Sequence, residues 1–158
     1  SRGLGDVYKR QAFLGLVRDT IADDGMLLIG VDTKKSESLL NAAYNDAAGI
    51  TAQFNLNLLY RMRQELGADC IPENFAHRAF YNAEAGCIEM HLVSRKKQEL
   101  RVNGHCFKLE AGESLHTENS YKYTPGEFIS MASANGFREI RHWVDGDGLF
   151  AIYLLQVC

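Results

Sequence analysis

The sequence predicts a mixed α/β fold, and three observations carry that prediction. A helical segment leads into Met26–Val31, a continuous apolar run of the kind found in buried parallel strands. The middle of the chain is a series of short strand-like segments separated by turn residues. A short helix and a two-stranded hairpin follow. At 158 residues and 46% hydrophobic, the chain can bury a core of ordinary size, so one compact unit is expected.

The first helix is predicted over Ala12–Ala22, where apolar residues recur at helical spacing, and Asp23-Asp24-Gly25 forms the turn after it. The apolar run that follows stops at Asp32, and open α/β sheets place ligand-binding loops at such strand ends. We therefore expect Met26–Val31 to be a buried strand of the parallel type in a doubly wound sheet.

Two more helices are predicted, one from about Ser36 to Ala47 and one from Gly49 to Leu66. In the second helix, apolar residues recur at four-residue steps, which predicts that this row is the buried face. The residues of the row are Ile50, Phe54, Leu58, Met62 and Leu66, and Leu59 lies beside it.

Beyond Gly67 the pattern changes to short strands, and the Asn103-Gly104 pair is a strong hairpin signal. A further segment, His116–Tyr123, is also strand-like. The other predicted strands are Ala76–Tyr81, Cys87–Val93, Glu99–Val102 and His105–Leu109.

The last elements are a short helix and a hairpin. The helix is predicted over Pro125–Asn135, with proline near its first turn and Gly136 just past its end. Arg138–Val144 and Leu149–Gln156 would pair across the turn between them.

Composition excludes several classes of partner. The net charge of −3 provides no basic surface for nucleic acid and no polybasic segment for an anionic membrane. The longest apolar runs are far shorter than a membrane-spanning helix requires. The four cysteines show no disulfide or metal spacing, so reduced thiols and a cytoplasmic location are expected. No obligate protein partner is evident.

Metal chemistry and nucleophilic cysteine chemistry are not predicted. The histidines show neither the H-E-x-x-H spacing of a zinc helix nor a paired cysteine pattern, and no cysteine lies in a recognisable motif beside a base. The five histidines are His77, His91, His105, His116 and His142.

The polar alternation in His116–Tyr123 has two interpretations. As a regular strand, it would place His116, Glu118 and Ser120 on one face. A carboxylate and a hydroxyl two residues apart could each meet one nitrogen of an imidazole ring. An ordinary solvated strand face fits the same pattern.

Five separated segments, in order and spacing, resemble the carboxyl-terminal half of the histidine-specific, S-adenosylmethionine-dependent methyltransferases, which trimethylate the α-amine of histidine in ergothioneine biosynthesis. The resemblance covers the chain from about Ala12 to about Gln156. The segments are LLIGVDTKK (Leu27–Lys35), YNDAAGITAQFNLNLL (Tyr44–Leu59), RQELGAD (Arg63–Asp69), IEMHL (Ile88–Leu92) and TENSYKYT (Thr117–Thr124).

The resemblance implies a set of substrate-binding residues. Tyr44 matches a tyrosine that binds the substrate carboxylate, while Phe54 and Met90 match apolar positions that line the imidazole pocket. Glu118 and Ser120 match the pair that holds the imidazole ring. From pattern alone, Tyr44 is equally explained as a core residue, and Phe54 and Met90 are better explained as core residues. The resemblance implies no residue that must act as a general base.

Other polar residues of the matched segment Tyr44–Leu59 are expected to cap and cross-link helices rather than contact the ligand. They are Asn45, Asp46, Asn55 and Asn57.

The resemblance also implies a division of the chain. Residues 12–35 and 125–156 would be the carboxyl-terminal part of a Rossmann-like class I methyltransferase sheet, and residues 36–124 an α+β substrate-binding insertion. Residues 1–11 are interpreted as a translation artefact. The glycine-rich loop that holds the methyl donor has no equivalent in the sequence and is expected upstream, so the chain is interpreted as a fragment.

The function implied is part of an S-adenosylmethionine-dependent enzyme that trimethylates the α-amine of L-histidine by direct displacement. Histidine would be the small-molecule substrate, and the fragment alone is expected to be inactive. Two alternatives stay open: a methyltransferase for another amino acid or amine, and a non-catalytic α+β module that binds a small ligand.

Overall fold

The computed structural model describes residues 2–21 and 23–158, with side chains described from Arg10 onward. Ser1 and Ala22, the predicted end of the first helix, lie outside the described residues. The helices are α1 (Arg2–Ile21), α2 (Glu37–Tyr44), α3 (Ile50–Leu66) and α4 (Pro125–Ala134), with a 3₁₀ turn at Pro72–Asn74. The strands are β1 (Met26–Asp32), β2 (Phe75–Asn82), β3 (Cys87–Ser94), β4 (Gln98–Val102), β5 (His105–Leu109), β6 (Ser114–Tyr121), β7 (Phe137–Val144) and β8 (Phe150–Val157).

The predicted α/β class is confirmed, and the chain separates into two compact units. The terminal unit comprises the residues up to Lys35 and those from Tyr121 onward, and the central unit comprises Ser36–Ser120. These limits lie close to the division predicted from the resemblance, 12–35 with 125–156 and 36–124. Helix α1 begins at Arg2, within the segment 1–11 that was interpreted as an artefact.

The terminal unit is a three-stranded antiparallel sheet in the order β1-β8-β7, with helices α1 and α4 supplying its core. The predicted final hairpin is present, since β7 and β8 pair from Phe137↔Val157 to Val144↔Ala151. Its core joins the inward face of the sheet to Leu14 of α1 and to Phe128 and Ala132 of α4.

The prediction of a buried, parallel-type strand at Met26–Val31 is wrong. β1 pairs antiparallel with β8, from Met26↔Gln156 to Asp32↔Phe150. Met26 and Leu28 are 58% and 65% exposed, while the alternate residue Val31 is buried. A continuous apolar run does not specify whether the neighbouring strand is parallel or antiparallel. Here the neighbour of β1 is β8, which belongs to the β7–β8 hairpin.

One face of this sheet is apolar and exposed in the part of the chain that the structure describes. Phe150 lies so close over β1 that a Cβ added to Gly30 would stand 2.8 Å from its ring. The exposed apolar residues that the strand register places on this face are Met26, Leu28, Trp143, Phe150 and Ile152.

The central unit packs α2 and α3 on a three-stranded sheet in the order β2-β3-β6, beside the separate β4–β5 hairpin. The hairpin predicted at Asn103-Gly104 is confirmed, because Val102 pairs with His105 and both turn residues have positive φ. Two apolar clusters form the core of the unit. One centres on Leu59, Phe75 and Leu92, and the other on Leu40, Ile88 and Met90.

The predicted buried face of α3 is wrong. Ile50 and Phe54 are 63% and 64% exposed, and the buried residues of the helix are Asn55 and Leu59. Four-residue steps advance about 400° around a helix of 3.6 residues per turn, so such a row drifts by about 40° per step and cannot stay on one face. Among the described residues, no helix is long and apolar enough to cross a membrane.

Candidate functional site

Two hydroxyl groups from distant parts of the sequence meet in the central unit. The hydroxyl of Tyr44, at the end of α2, lies 2.7 Å from Oγ of Ser120 on β6. Either atom can donate this hydrogen bond. Both residues were predicted to bind substrate, and the structure brings their side chains into direct contact.

A hydrogen-bond chain fixes the backbone at Tyr44. Nε2 of His77 donates to the carbonyl oxygen of Tyr44 at 2.8 Å, and Nδ1 of His77 accepts from Nδ2 of Asn55 at 3.0 Å. The two bonds together require the neutral tautomer that carries its proton on Nε2. The end of α2 is thereby tied through β2 to α3.

Asn55 is the centre of this network and is 1% exposed. Besides His77, its Nδ2 donates to the carbonyl of His91 at 3.1 Å, and its Oδ1 accepts from the hydroxyl of Thr117 at 2.8 Å. The hydroxyl of Thr117 also lies 2.9 Å from the carbonyl of Met90. Asn55 therefore links α3 to β2, β3 and β6.

Two further polar residues anchor the helix ends, as the sequence indicated. Asn45 joins α2 to β2 by donating to the carbonyl of Ala79 and accepting from its N–H. Asp46 accepts from the backbone N–H groups of Thr51 and Ile50, and these bonds lower the pKa of its carboxyl to about 2. The prediction that these residues cap and cross-link helices is confirmed.

Met90 is part of the core beneath this region. It is 2% exposed and packs in one cluster with Leu40, Ala79 and Ile88, against which Tyr44 also packs. Its neighbours on β3 alternate between this helix-covered face and the opposite face of the sheet. Met90, which was predicted to line the substrate pocket, therefore belongs to the core cluster that packs against Tyr44.

Phe54 and Glu118 are exposed to solvent, unlike the other three predicted site residues. Phe54 is 64% exposed on the outward row of α3, and Glu118 is exposed on β6. The structure thus brings Tyr44, Met90 and Ser120 together and leaves the other two side chains in solvent within the central unit.

Strand β6 does not alternate regularly as the sequence suggested. Nε2 of His116 lies 2.7 Å from Oδ1 of Asn119, three residues on. In a regular strand, residues three apart point to opposite faces, with a rise of about 3.3 Å per residue between them. The strand is therefore distorted between these residues, and His116, Glu118 and Ser120 do not share one regular face.

The sequence did not single out His77 or Thr117, which complete the network around Tyr44. The only available signal was that both are polar residues inside predicted strands. A partner for either could not be read from the sequence, because the network joins residues up to 62 positions apart.

A cluster of potential metal ligands lies on the central sheet. Glu89 and His91 of β3 and His116 of β6 each offer one ligand atom, and these atoms lie within 4.8 Å of one another. The exposed Cys106 and Cys158 and the buried Cys70 and Cys87 are all free thiols.

A separate open cavity of about 380 Å³ lies in the central unit, and none of the five predicted site residues lines it. Its walls come from α3 and from Leu92, Leu115 and Thr117 of the sheet.

The described residues do not fit a binding site for S-adenosylmethionine on their own. Such a donor needs a glycine-rich turn after a strand, where backbone can approach it closely. The turn after β1 contains no glycine, and Asp32 at its start is already paired with Lys35 at 2.7 Å and Lys122 at 2.6 Å. No step is assigned to the donor here.

Comparison with known proteins gives a family match over residues 5–157, to the model described as "Histidine-specific methyltransferase, SAM-dependent". A "Histidine N-alpha-methyltransferase" of Mycolicibacterium smegmatis is 37% identical over 147 residues, which are 92% of this chain and 46% of that protein. "Ergothioneine biosynthesis protein 1" of Neurospora crassa is 25% identical over 146 residues, 90% of this chain and 16% of that protein.

A solved structure, the CcbJ methyltransferase from Streptomyces caelestis, superposes with a TM-score of 0.47 at 10% identity, covering 96% of this chain and 54% of that one. The chain spans about half the length of the bacterial relative that it matches.

Proposed function

The chain belongs to the histidine-specific, S-adenosylmethionine-dependent methyltransferases, and from this premise we propose that it carries the histidine-binding part of an enzyme that trimethylates the α-amine of L-histidine. The product would enter ergothioneine biosynthesis, in keeping with the name of the Neurospora crassa relative. The chain by itself is expected to transfer no methyl group, because its described residues form no donor site.

The observation that carries the proposal is the 2.7 Å contact between Tyr44 and Ser120. In the absence of substrate, each hydroxyl satisfies the other. When histidine enters, the pair exchanges this bond for bonds to the ligand: Tyr44 donates to the carboxylate and Ser120 bonds an imidazole nitrogen. The core cluster around Met90 and the Asn55 network hold both hydroxyls in place.

Glu118 provides the second imidazole contact in this proposal. Its side chain is exposed and can turn toward a ring N–H, where an ionised carboxylate forms a charge-assisted hydrogen bond. An apolar amino acid would leave Glu118 and Ser120 without partners, and that cost is the source of the preference for histidine. Phe54 contributes an exposed aromatic ring for packing on the substrate.

The free state of all four thiols supports a cytoplasmic location. We assign no nucleic-acid or membrane partner, because the net charge is −3 and no basic surface is predicted.

Binding of L-histidine to the chain tests this proposal, measured by saturation-transfer NMR with phenylalanine and histamine as competitors. We expect Glu118→Ala and Ser120→Ala to weaken histidine binding at least about tenfold, as expected for the loss of a hydrogen bond to a charged group. Glu84→Ala, which removes an exposed carboxylate from the β2–β3 turn, should leave binding unchanged.

The competitors separate the alternatives. Histamine lacks the carboxylate, so it should bind more weakly than histidine and be insensitive to Tyr44→Phe. Phenylalanine binding as tightly as histidine would favour a methyltransferase for another amino acid. If mass spectrometry detects methylated histidine after incubation of this chain with the donor, the expectation that it is inactive alone is wrong.

A further inference from the structure

Three side chains that the proposed function does not use converge on the central sheet. Glu89 and His91 lie two residues apart on β3, so they share one face of the strand, and His116 comes from the neighbouring strand β6. Nε2 of His91 is 3.0 Å from Oε2 of Glu89, and the rings of His91 and His116 stack with centroids 4.6 Å apart.

We infer that Glu89, His91 and His116 bind one divalent ion of the zinc, cobalt and nickel class. Two imidazoles and a carboxylate are the donors that these borderline ions prefer, and three protein ligands leave a position for water. Bonds of about 2.0–2.2 Å place donors around one ion about 3.3 Å apart. Ligand atoms that already lie within 4.8 Å of one another need only small side-chain movements to reach this geometry.

The hydrogen bonds around His91 orient its ring toward Glu89. Nδ1 of His91 lies 3.3 Å from Oγ of Ser114, and either atom can donate across this contact. Nε2 of His91 lies 3.0 Å from Oε2 of Glu89, and a divalent ion would take the place of the proton that these two atoms share. An outer hydrogen bond of this kind is what orients a metal-binding histidine.

A hydrogen bond positions the carboxylate of Glu89 to act as a ligand of the same ion. Nδ2 of Asn82 donates to its Oε1 at 2.7 Å, which fixes the carboxylate and leaves Oε2 facing His91.

Binding of the ion requires the side chain of His116 to rotate. Its ring is nearly parallel to that of His91, with 14° between the planes, so the two lone pairs cannot meet at one ion without a rotation. His116 is exposed, and torsion about the Cβ–Cγ bond of histidine is broad. The rotation gives up its contacts with Oδ1 of Asn119 and the carbonyl of Glu118.

The site was not visible in the sequence because its ligands do not form a local motif. Two donors share β3 at a spacing of two, and the third is 25 positions beyond His91 in the sequence. The bound ion would join β3 to β6 beside the distorted segment of β6.

The test is a zinc titration of the metal-free chain by isothermal titration calorimetry, with Co²⁺ absorption as a spectroscopic check. We expect one ion per chain, micromolar affinity, and a Co²⁺ spectrum of low coordination number. His116→Ala and Glu89→Gln should each weaken binding at least about tenfold. His91→Phe should do the same while keeping the stack of ring 91 on Phe80 and His116.

Two controls make the result specific. His142→Ala removes a histidine that pairs with a single carboxylate, Glu139, and should leave zinc affinity unchanged. Cys106→Ser with Cys158→Ser removes the exposed thiols and should also leave it unchanged.

Zinc should raise the midpoint of thermal unfolding of the wild-type chain but not that of His116→Ala, whose replaced side chain is exposed. Unchanged zinc affinity in His116→Ala, or loss of binding in the cysteine variant, would overturn the inference.

Discussion

The carboxylate of Asp32 lies 2.6 Å from the ammonium nitrogen of Lys122, whose side chain is completely buried. A buried lysine is tolerated only when it is paired, because removing its charge from water is costly. Lys35 approaches the other oxygen of the same carboxylate at 2.7 Å. The sequence predicted a ligand-binding loop at the end of β1. In the structure, the carboxylate of Asp32 at this strand end contacts two lysines.

Replacing Asp32 should therefore destabilise the terminal unit. In Asp32→Asn, Lys122 and Lys35 lose the carboxylate that both contact, so we expect a loss of about 3 kcal/mol, at the lower end of the range for buried pairs because Asp32 is partly exposed. Urea unfolding followed by circular dichroism measures this change. Asp23→Asn, at an exposed aspartate, is the matched control and should change stability by less than about 0.5 kcal/mol.

The same pair predicts a pH dependence. Partial burial alone would raise the pKa of Asp32, but the hydrogen bonds and charges of Lys122 and Lys35 outweigh it, so the folded-state pKa lies below 3.8. A lowered folded-state pKa contributes stability that is present above the unfolded value and lost as pH falls through the folded one. The wild-type advantage over Asp32→Asn should therefore shrink below about pH 4. An advantage that stays constant down to acid unfolding would contradict this assignment.

Asn55 should be one of the most sensitive positions in the central unit. Asn55→Ala removes the donor to Nδ1 of His77 and to the carbonyl of His91 in a buried region, while the hydroxyl of Thr117 keeps the carbonyl of Met90 as its acceptor. We expect a loss of about 2–4 kcal/mol from these unpaired groups. Asn57→Ala, two residues along on the exposed side of α3, should be nearly neutral. Equal effects of the two changes in chemical denaturation would show that the network contributes little.

The hydroxyl pair should show direct coupling. In a double-mutant cycle of Tyr44→Phe and Ser120→Ala, we expect the two changes to be non-additive by about 0.5–1.5 kcal/mol, the net value of one hydrogen bond. Each single change leaves one hydroxyl without this partner, whereas the double change removes both. Additive losses of unfolding free energy would mean that the 2.7 Å contact is not maintained in solution.

The sequence predicted the identity of most elements, because their signals are local. The Asn103-Gly104 turn, the proline at the start of α4 and Asp46 at the start of α3 all act within a few residues. The direction of β1 and the buried face of α3 were wrong because both depend on distant partners. β8 decides the first, and Asn55, with its bonds to three strands, decides the second.

The candidate site, too, could be predicted from the sequence only in part. Tyr44 and Ser120 are 76 positions apart, and only the resemblance to a family suggested that they act together. The distortion of β6 between His116 and Asn119 could not be predicted, since strict alternation of polar residues is the signal of a regular strand. The roles of Phe54 and Glu118 stay predictions.

One face of the terminal sheet is apolar and exposed, so measurements on this chain will depend on protein concentration. Aromatic and aliphatic side chains such as Trp143, Phe150 and Leu28 meet water there, and among the described strands β1 is paired along only one of its sides. Surfaces of this kind recruit other molecules edge to edge or face to face. Unfolding midpoints and titrations will therefore report the single chain only in dilute solution, and light scattering should be recorded beside each of them.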